Sequence, residues 1–415
     1  MKICLINNLY KPYNRGGAER IVELIAHSLQ NQGHEVFLIT TKPHNAQRVM
    51  RNAQQKVYYI NALYYNLNFL PKVLRLFWHL RDMFDIGSYF KVKAILKKEK
   101  PDVVMTHNLK GIGYLIPSAI KNLEIKHIHT LHDIQLLHPS GLMIHGKENQ
   151  INSIFVKVYT GICRWLTAGN VKGVPPFAKS GMTSGRLFDS PDTVISPSSW
   201  LMKMHTDKGF FKNSRQMILA NPAPAATIPS SGTGGEGKFK FFYVGQIEEH
   251  KGVLFLIKVF KMLRKELEDV SCELIIAGDG SGLKQAKKLA GDDGMVKFLN
   301  KVNHKDLLII MQKCNILVAP SLCYENSPTV IYEALGVGLP VIASRIGGIT
   351  ELVHKTAGIL FKPGNEKDLM YQMKWAIEHG EKLRKIGEIG REKVKKFGVE
   401  NYIKELEKLI DLSRN

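Results

Sequence analysis

Residues 319–351 read APSLCYENSPTVIYEALGVGLPVIASRIGGITE, and the rest of the chain is organised around them. At their centre, residues 325–333 (ENSPTVIYE) set Glu325 and Glu333 on either side of seven residues, with Pro328 just inside the start of an expected helix. A missing N–H costs nothing at a first helical position, and Ser327 fits the N-cap. The amides of that first turn, around Thr329 and Val330, would point out of the helix end and favour an anion such as a diphosphate. Glu333 lies about one turn further in, on the face of Thr329. A carboxylate there suits neutral hydroxyl donors, such as a ribose diol, better than phosphate. Glu325 precedes the helix in a loop, from which it reaches a different part of a ligand. Glutamates at this spacing also arise by chance in helices, so the flanks decide: Pro320-Ser321 before, Gly338-Leu-Pro340 after, then a β-rich VIAS and Gly347-Gly348-Ile-Thr-Glu351.

The chain's 415 residues suffice for two large domains, and 44% hydrophobic against 23% charged residues describes a globular protein with ample core. Five cysteines, at positions 4, 163, 272, 314 and 323, form no C-x-x-C pair and no even framework, so a reducing cytoplasm is the simpler inference. The N-terminal apolar stretch is too short for a signal peptide, and no run approaches the ~18 apolar residues of a membrane span. Lys plus Arg outnumber Asp plus Glu by 58 to 37, a net +21 that attracts polyanions: nucleic acid, an anionic membrane surface or a phosphorylated substrate. No RNP-type aromatic motif, zinc-finger spacing or basic heptad region occurs, which argues against nucleic acid.

Residues 2–7 read as a buried strand, 18–32 as a helix with Ile21, Leu24, Ile25 and Leu29 at helical spacing, and 34–40 as the next strand, Gly33 closing the helix. Gly16-Gly17 stand where loop meets helix, so the backbone there either approaches an anion closely or simply turns tightly. Residues 56–100 are rich in aromatics and cations. Leu70, Val73, Phe77, Leu80 and Phe84 line one helical face, apart from Lys72, Arg75, His79 and Asp82. The preferred reading docks this face on its own domain; the other lays it on a membrane, with Trp78 and the tyrosines at the headgroups. Residues 101–107 and 126–133 are further strands. His127, His129 and His132 invite a metal reading, but no cysteine or regular ligand partner accompanies them, and alternate strand residues often line a cleft. Asp133 either orients His132 or caps the following turn. Residues 142–190 have weak periodicity, and 193–200 restore a strand. Prolines and small residues over 218–237 read as a linker.

The second half restarts the pattern: a strand at 239–244, a helix at 252–267 with Val253, Leu256, Ile257, Phe260 and Leu267 inward, and a strand at 272–277. Two such restarts imply two doubly wound α/β domains, with ligands at the facing carboxyl ends of their strands. Between strand and helix, Gly245-Gln246 and Lys251 stand at a helix entrance, where an ammonium either meets a diphosphate or is only solvated. Gly278-Asp279-Gly280 follows the next strand. It suggests a dinucleotide, but the full G-x-G-x-x-G is absent, as it is at Gly111 and Gly113.

Taken together, these motifs resemble glycosyltransferase family 4, whose signature is Glu-x7-Glu, closely over residues 239–364 and more loosely over the first 135. The resemblance implies a GT-B fold, two Rossmann-like domains facing each other across a cleft, and a retaining hexosyltransferase that needs no metal and no cofactor beyond its nucleotide diphosphate sugar substrate. It implies a saccharide or lipid-linked acceptor, cell-surface polysaccharide or glycolipid synthesis, and a cytoplasmic site, peripheral on the inner face of the membrane. It assigns Glu325 and His132 to catalysis. Donor binding falls to Gly16, Gly17, Gly245, Gln246, Lys251, Gly278, Asp279, Ser327, Pro328, Thr329, Val330 and Glu333. The family usually has arginine where Gln246 stands, so one cation on the departing nucleotide is missing; Gln246 still donates an amide hydrogen bond. The expected division is residues 1–220 as an acceptor-side domain, 221–237 as linker, 238–395 as the nucleotide-sugar domain and 396–415 as a helix returning to the first. The alternatives are an inactive sugar-nucleotide-binding protein and a dinucleotide-dependent oxidoreductase.

Overall fold

A computed structural model describes residues 1–13, 16–42, 56–61, 71–152, 154–167, 191–223, 237–267, 271–292, 294–356 and 358–411. The chain forms two compact units. The first comprises Met1–Met143, Glu148–Ala220 and Tyr402–Asn415, the second Ile144–Lys147 and Asn221–Asn401.

In the first unit, β1 (Lys2–Ile6), α1 (Gly17–Asn31), β2 (Glu35–Lys42) and β3 (Lys56–Asn61) are followed by α2 (Lys72–Met83) and α3 (Ile86–Glu99). Then come β4 (Val103–Thr106), α4 (Ile116–Lys121), β5 (Lys126–Thr130), α5 (Ile154–Thr167), β6 (Thr193–Ser196), α6 (Ser199–Thr206) and β7 (Arg215–Ile218). The seven strands pair in parallel in the order β3-β2-β1-β4-β5-β6-β7. Parallel strands covered on both faces need near-continuous apolar runs, and Ile3 to Ile6 are all fully buried. The helix α1 buries Ile21, Ile25 and Leu29 of the expected stripe, with Val22 and Ala26 beside them, while Leu24 is only half-buried; Gly33 follows the helix at φ +86°.

The second unit repeats the scheme. Its elements are β8 (Phe239–Val244), α7 (Val253–Glu266), β9 (Cys272–Ala277), α8 (Leu283–Ala290), β10 (Val296–Phe298), α9 (His304–Gln312), β11 (Ile316–Ala319), α10 (Thr329–Gly336), β12 (Val341–Ser344), α11 (Gly347–Thr356), β13 (Ile359–Phe361), α12 (Glu366–Glu378) and α13 (Gly380–Val394). Six parallel strands run β10-β9-β8-β11-β12-β13. Along β8 the side chains alternate between the two cores: Phe241 and Tyr243 pack with α7 on one face, Phe242 with α10 residues on the other. In both sheets the order reverses beside the first strand, between β1 and β4 and between β8 and β11, and such switch points open crevices at the carboxyl ends of strands.

The last helix, α14 (Val399–Asp411), packs from Tyr402 onward in the first unit. Lys126 donates to the carbonyls of Leu409 and Ile410, a cation on orphan acceptors at a helix end, and His34 meets Glu407 at 3.1 Å. Most of the expected linker, residues 224–236, lies outside the described residues; Asn221–Ala223 belong to the second unit, where Ala223 is buried and bridges Gly398.

The expected inward face of α2 is corrected at Phe77 and Phe84, which are 62% and 42% exposed, while Trp78 and Met83 are buried and Asp82 is drawn in to accept the Gly111 N–H at 2.8 and 3.0 Å. Trp78 is therefore a core residue, not a headgroup anchor. Leu70 and the tyrosines at 64 and 65 lie outside the described residues. Among the described residues, no helix is long and apolar enough to cross a membrane.

Candidate active site

Three loops meet at the β8/β11 switch point of the second unit. The loop after β8 and the turn after β9 cross in backbone contact: a Cβ on Gly278 would lie 1.9 Å from the Gly245 oxygen, and the Ile247 N–H donates to the Asp279 carbonyl at 2.9 Å. Only glycine permits this approach, at φ +145°. Gln246 is exposed and its carbonyl accepts the Tyr243 hydroxyl, while the Asp279 carboxylate accepts the N–H of Gly280. The same loop is fastened further along by Glu248, which accepts from both the N–H and the hydroxyl of Ser281. Gly252, at φ +76°, then starts α7 so close to the third loop that a Cβ would stand 1.9 Å from the Pro320 carbonyl oxygen.

This closeness brings Lys251 to Glu325, Nζ to Oε2 3.2 Å. Burial works against the Lys251 charge, but the Glu325 carboxylate more than restores it, and the ammonium is held above the usual lysine value. Ser321 donates to the other oxygen of Glu325. The Glu325 carbonyl accepts the Gly348 N–H at 2.9 Å at the start of α11, and a Cβ on Gly347 would lie 2.4 Å from that carbonyl oxygen. The Gly347-Gly348 pair thus seats the backbone of Glu325. The segment Ile144–Lys147 adds a strand-like edge: Ile144 bridges Cys323, and the His145 N–H donates to Leu322 at 2.8 Å.

The start of α10 differs from expectation by one residue. Pro328, extended at ψ 124°, is the cap, and the helix begins at Thr329. Ser327 does not cap; its hydroxyl lies 2.6 Å from that of Tyr332, one turn ahead, and its carbonyl accepts from Asn221. Thr329 and Val330 form the half-buried first turn. Glu333 follows with its carboxylate buried, Oε1 3.7 Å from Nε2 of His304, the first residue of α9.

The remaining candidates stand in the first unit. The Gly16 N–H is taken by the Glu19 carboxylate at 2.7 Å, which caps α1, and Gly17 opens the helix. His132 lies in a pocket with Asn108, Asp133 and Gln135, beyond the carboxyl end of β5. Its Nε2 is 2.9 Å from Nδ1 of His107, which follows β4. Burial pushes His132 down to about 4, so the ring is neutral at neutral pH. Asp133 caps the next turn through the Gln135 N–H at 2.7 Å, and the His107 ring lies against His132. His127 and His129 are spent on one hydroxyl, that of Thr106, at 2.7 and 2.8 Å. Sequence reading passed over His107 and His304, and took Ser321 only as part of the motif's flank. The signal for His107 was its place just after β4, the strand beside β5, which makes it a neighbour of the residues after β5.

Residues 15–222 match the profile of Glycosyltransferase Family 4, and residues 227–393 that of Glycosyl transferases group 1. The chain belongs to Glycosyltransferase Family 4 and is a glycosyltransferase. Among its relatives is an uncharacterized 42.6 kDa protein in the cps region of Klebsiella pneumoniae, 27% identical over 366 residues, covering 87% of this chain and 90% of that protein. An uncharacterized glycosyltransferase of Haemophilus influenzae is 23% identical over 94% of this chain and 95% of its own. The fold is that of Anabaena HepE in complex with UDP, TM-score 0.70 at 18% identity, covering 99% of this chain and 100% of that one. It is likewise that of WaaG, a glycosyltransferase involved in lipopolysaccharide biosynthesis, TM-score 0.63 at 16% identity over 95% of both chains. These likenesses make the fold GT-B, and the family leaves no place for a dinucleotide-dependent oxidoreductase.

Proposed function

We propose that the chain transfers a hexosyl group, with retention at the anomeric carbon, from a nucleotide diphosphate sugar to a saccharide or lipid-linked acceptor in cell-surface polysaccharide or glycolipid synthesis. The observation that carries this reading is the Lys251–Glu325 pair at the switch point, 3.2 Å apart beside the start of α10. Lys251 and the first-turn amides near Thr329 and Val330 supply positive charge where the departing diphosphate gains negative charge, so no metal ion is required for its departure. Glu333 takes the ribose hydroxyls. Glu325 faces the transferred sugar, where a carboxylate stabilises a cation-like transition state, and His132 serves the sugar as a neutral hydrogen-bonding group. Retention is carried by the family resemblance alone. Structural relatives described with UDP and with UDP-glucose support a nucleotide sugar donor, and those of lipopolysaccharide synthesis support the acceptor class.

The test is calorimetry with UDP, GDP and ADP, followed by product analysis by NMR in the presence of EDTA. Binding of one nucleotide and transfer with the donor's anomeric configuration kept are expected. Inversion, or activity abolished by EDTA and restored by manganese, would remove the corresponding part of the proposal. Binding without transfer to any saccharide or lipid-linked acceptor would favour an inactive binding protein.

A further inference from the structure

We infer that His107 is a positioning residue for His132: it donates from Nδ1 to Nε2 of His132 and so fixes His132 as the tautomer that carries its hydrogen on Nδ1. The two rings meet because β4 and β5 are parallel neighbours with Thr106 beside His129, so that His107 and His132 follow the ends of adjacent strands. The backbone is held at both places. The His107 N–H donates to the Ile6 carbonyl at 2.9 Å and that of Asn108 to the Asn7 side chain at 3.1 Å, while the Leu131 N–H donates to Ile195 at 2.8 Å. Nδ1 of His107 lies 2.9 Å from Nε2 of His132, with the ring centroids 5.2 Å apart and the planes 35° from parallel. Nitrogens that much closer than the centroids lie near the line joining the rings, edge to edge, as a hydrogen bond requires and stacking does not.

Only one hydrogen fits between two nitrogens at this distance, so one ring donates and the other accepts. The surroundings of His107 choose which. The residue is 1% exposed, and no protein group among the described residues bonds its Nε2. A hydrogen on that Nε2 would be a buried N–H without an acceptor. With the hydrogen on Nδ1 the N–H has its acceptor in His132, and the unpaired atom is a bare ring nitrogen; interiors tolerate under-used acceptors more readily than orphan N–H groups. The bond made by one nitrogen of a histidine sets where its hydrogen resides, so His132, accepting at Nε2, carries its own on Nδ1. It is then a fixed donor and not a base. An oxygen served by its Nδ1–H is an acceptor, as the ring and hydroxyl oxygens of a hexosyl group are, and the lone pair that could take a proton is engaged. His107 acts through His132, which is half-buried and keeps surface for a ligand. The place of His132 beside the sugar rests on the proposed function; the tautomer does not.

Nitrogen-15 NMR of the full chain labelled at histidine reads the tautomer directly, and the signals lost in H107N and H132A assign the two rings. Both rings of the wild type are expected neutral with hydrogen on Nδ1. Asparagine puts an amide nitrogen near the place of Nδ1 and remains a donor, whereas aspartate puts an accepting carboxylate there. H107N should therefore keep the wild-type tautomer of His132, and H107D should move its hydrogen to Nε2. Release of UDP from UDP-glucose should follow the spectra: H107N keeps most of kcat and H107D lowers it about 10–100-fold, with UDP affinity by calorimetry and circular dichroism unchanged in both. Hydrogen on Nε2 of His132 in the wild type, one and the same tautomer in H107N and H107D, or equal kcat in these two variants would overturn the inference. A chain that releases no UDP from UDP-glucose strikes only at the donor reading, and H132A at full rate only at the place of His132 in it; the spectra decide the pairing in either case.

Discussion

Lys251 and Glu325, 74 residues apart in sequence, form an ion pair at 3.2 Å because Gly252 lets the start of α7 touch the Pro320 carbonyl. The pair makes the two side chains one unit, and their substitutions should not add. Glu325→Ala is expected to lower kcat with little change in nucleotide affinity, whereas Lys251→Ala weakens nucleotide binding and also slows diphosphate departure. A double-mutant cycle should show coupling of about 0.5–3 kcal/mol, as for charged groups in contact. Strict additivity would separate their roles.

Glu333 is buried behind the first turn of α10, and its expected partner is a ribose hydroxyl. Glu333→Ala should raise the donor KM by the equivalent of ~1.5–3 kcal/mol, the worth of hydrogen bonds to a charged acceptor. His304 lies 3.7 Å from that carboxylate, so His304→Ala should cost less and nothing further once Glu333 is gone. Calorimetry with the free nucleoside diphosphate measures both, and unchanged affinity in Glu333→Ala would defeat the assignment.

Two glycines separate strain from contact. Gly347 is at φ +54° and a Cβ would meet the Glu325 carbonyl oxygen at 2.4 Å; Gly33 is at φ +86° with nothing within 4 Å. Gly33→Ala should cost only the left-handed penalty, about 1–2 kcal/mol by denaturant unfolding. Gly347→Ala should cost more and also lower kcat, because Glu325 must shift. Equal costs with full activity in both variants would show that the loop yields freely.

The first unit should lose stability in acid. Burial holds His107, His127, His129, His132 and His205 below the usual imidazole value, to about 3 for His127 and about 4 for His132 and His205. Unfolding restores them, so as pH falls from 6.5 the unfolded chain binds more protons and stability drops. Asp82 and Asp133 act oppositely: burial raises them to about 7 and about 6, and falling pH favours the fold that keeps them protonated. With His138, which burial also lowers, six imidazoles outweigh two carboxyls, with about 1.4 kcal/mol lost per pH unit for each proton in excess. Thermal unfolding between pH 6.5 and 4.5 should follow this slope, and His205→Asn should flatten it. A midpoint that rose on acidification would contradict the burial account.

The alternation of strands and helices was legible because buried parallel strands and amphipathic helices leave runs and periods that local sequence displays. Gly278 was legible as part of a Gly-Asp-Gly turn and Gly347 as part of the central motif's flank, but the close backbone approaches that require them were not. The face of α2 was not: periodicity marks an apolar stripe, but Phe77/Phe84 and Trp78 are two stripes one residue apart, and only tertiary packing chooses between them. The His107–His132 contact joins the ends of neighbouring strands, which local pattern does not report. Ile144–Lys147 lies against the residues just before Glu325 through backbone hydrogen bonding, which any side chain permits, and so left no trace in residue types.

The helix α14 bears on how the polypeptide is made. The first unit buries Tyr402, Ile403, Leu406, Leu409 and Ile410, so its interior is not finished until residues synthesised after the whole second unit have left the ribosome. During translation the early sheet waits with the place for α14, beside Lys126 and His34, open to solvent. Cells must carry that half-built surface for the time needed to add some two hundred residues, about 10–40 s at ordinary rates of synthesis. Expression of residues 1–220 alone should therefore yield aggregated material, and supplying the α14 peptide in trans should recover part of it in soluble form.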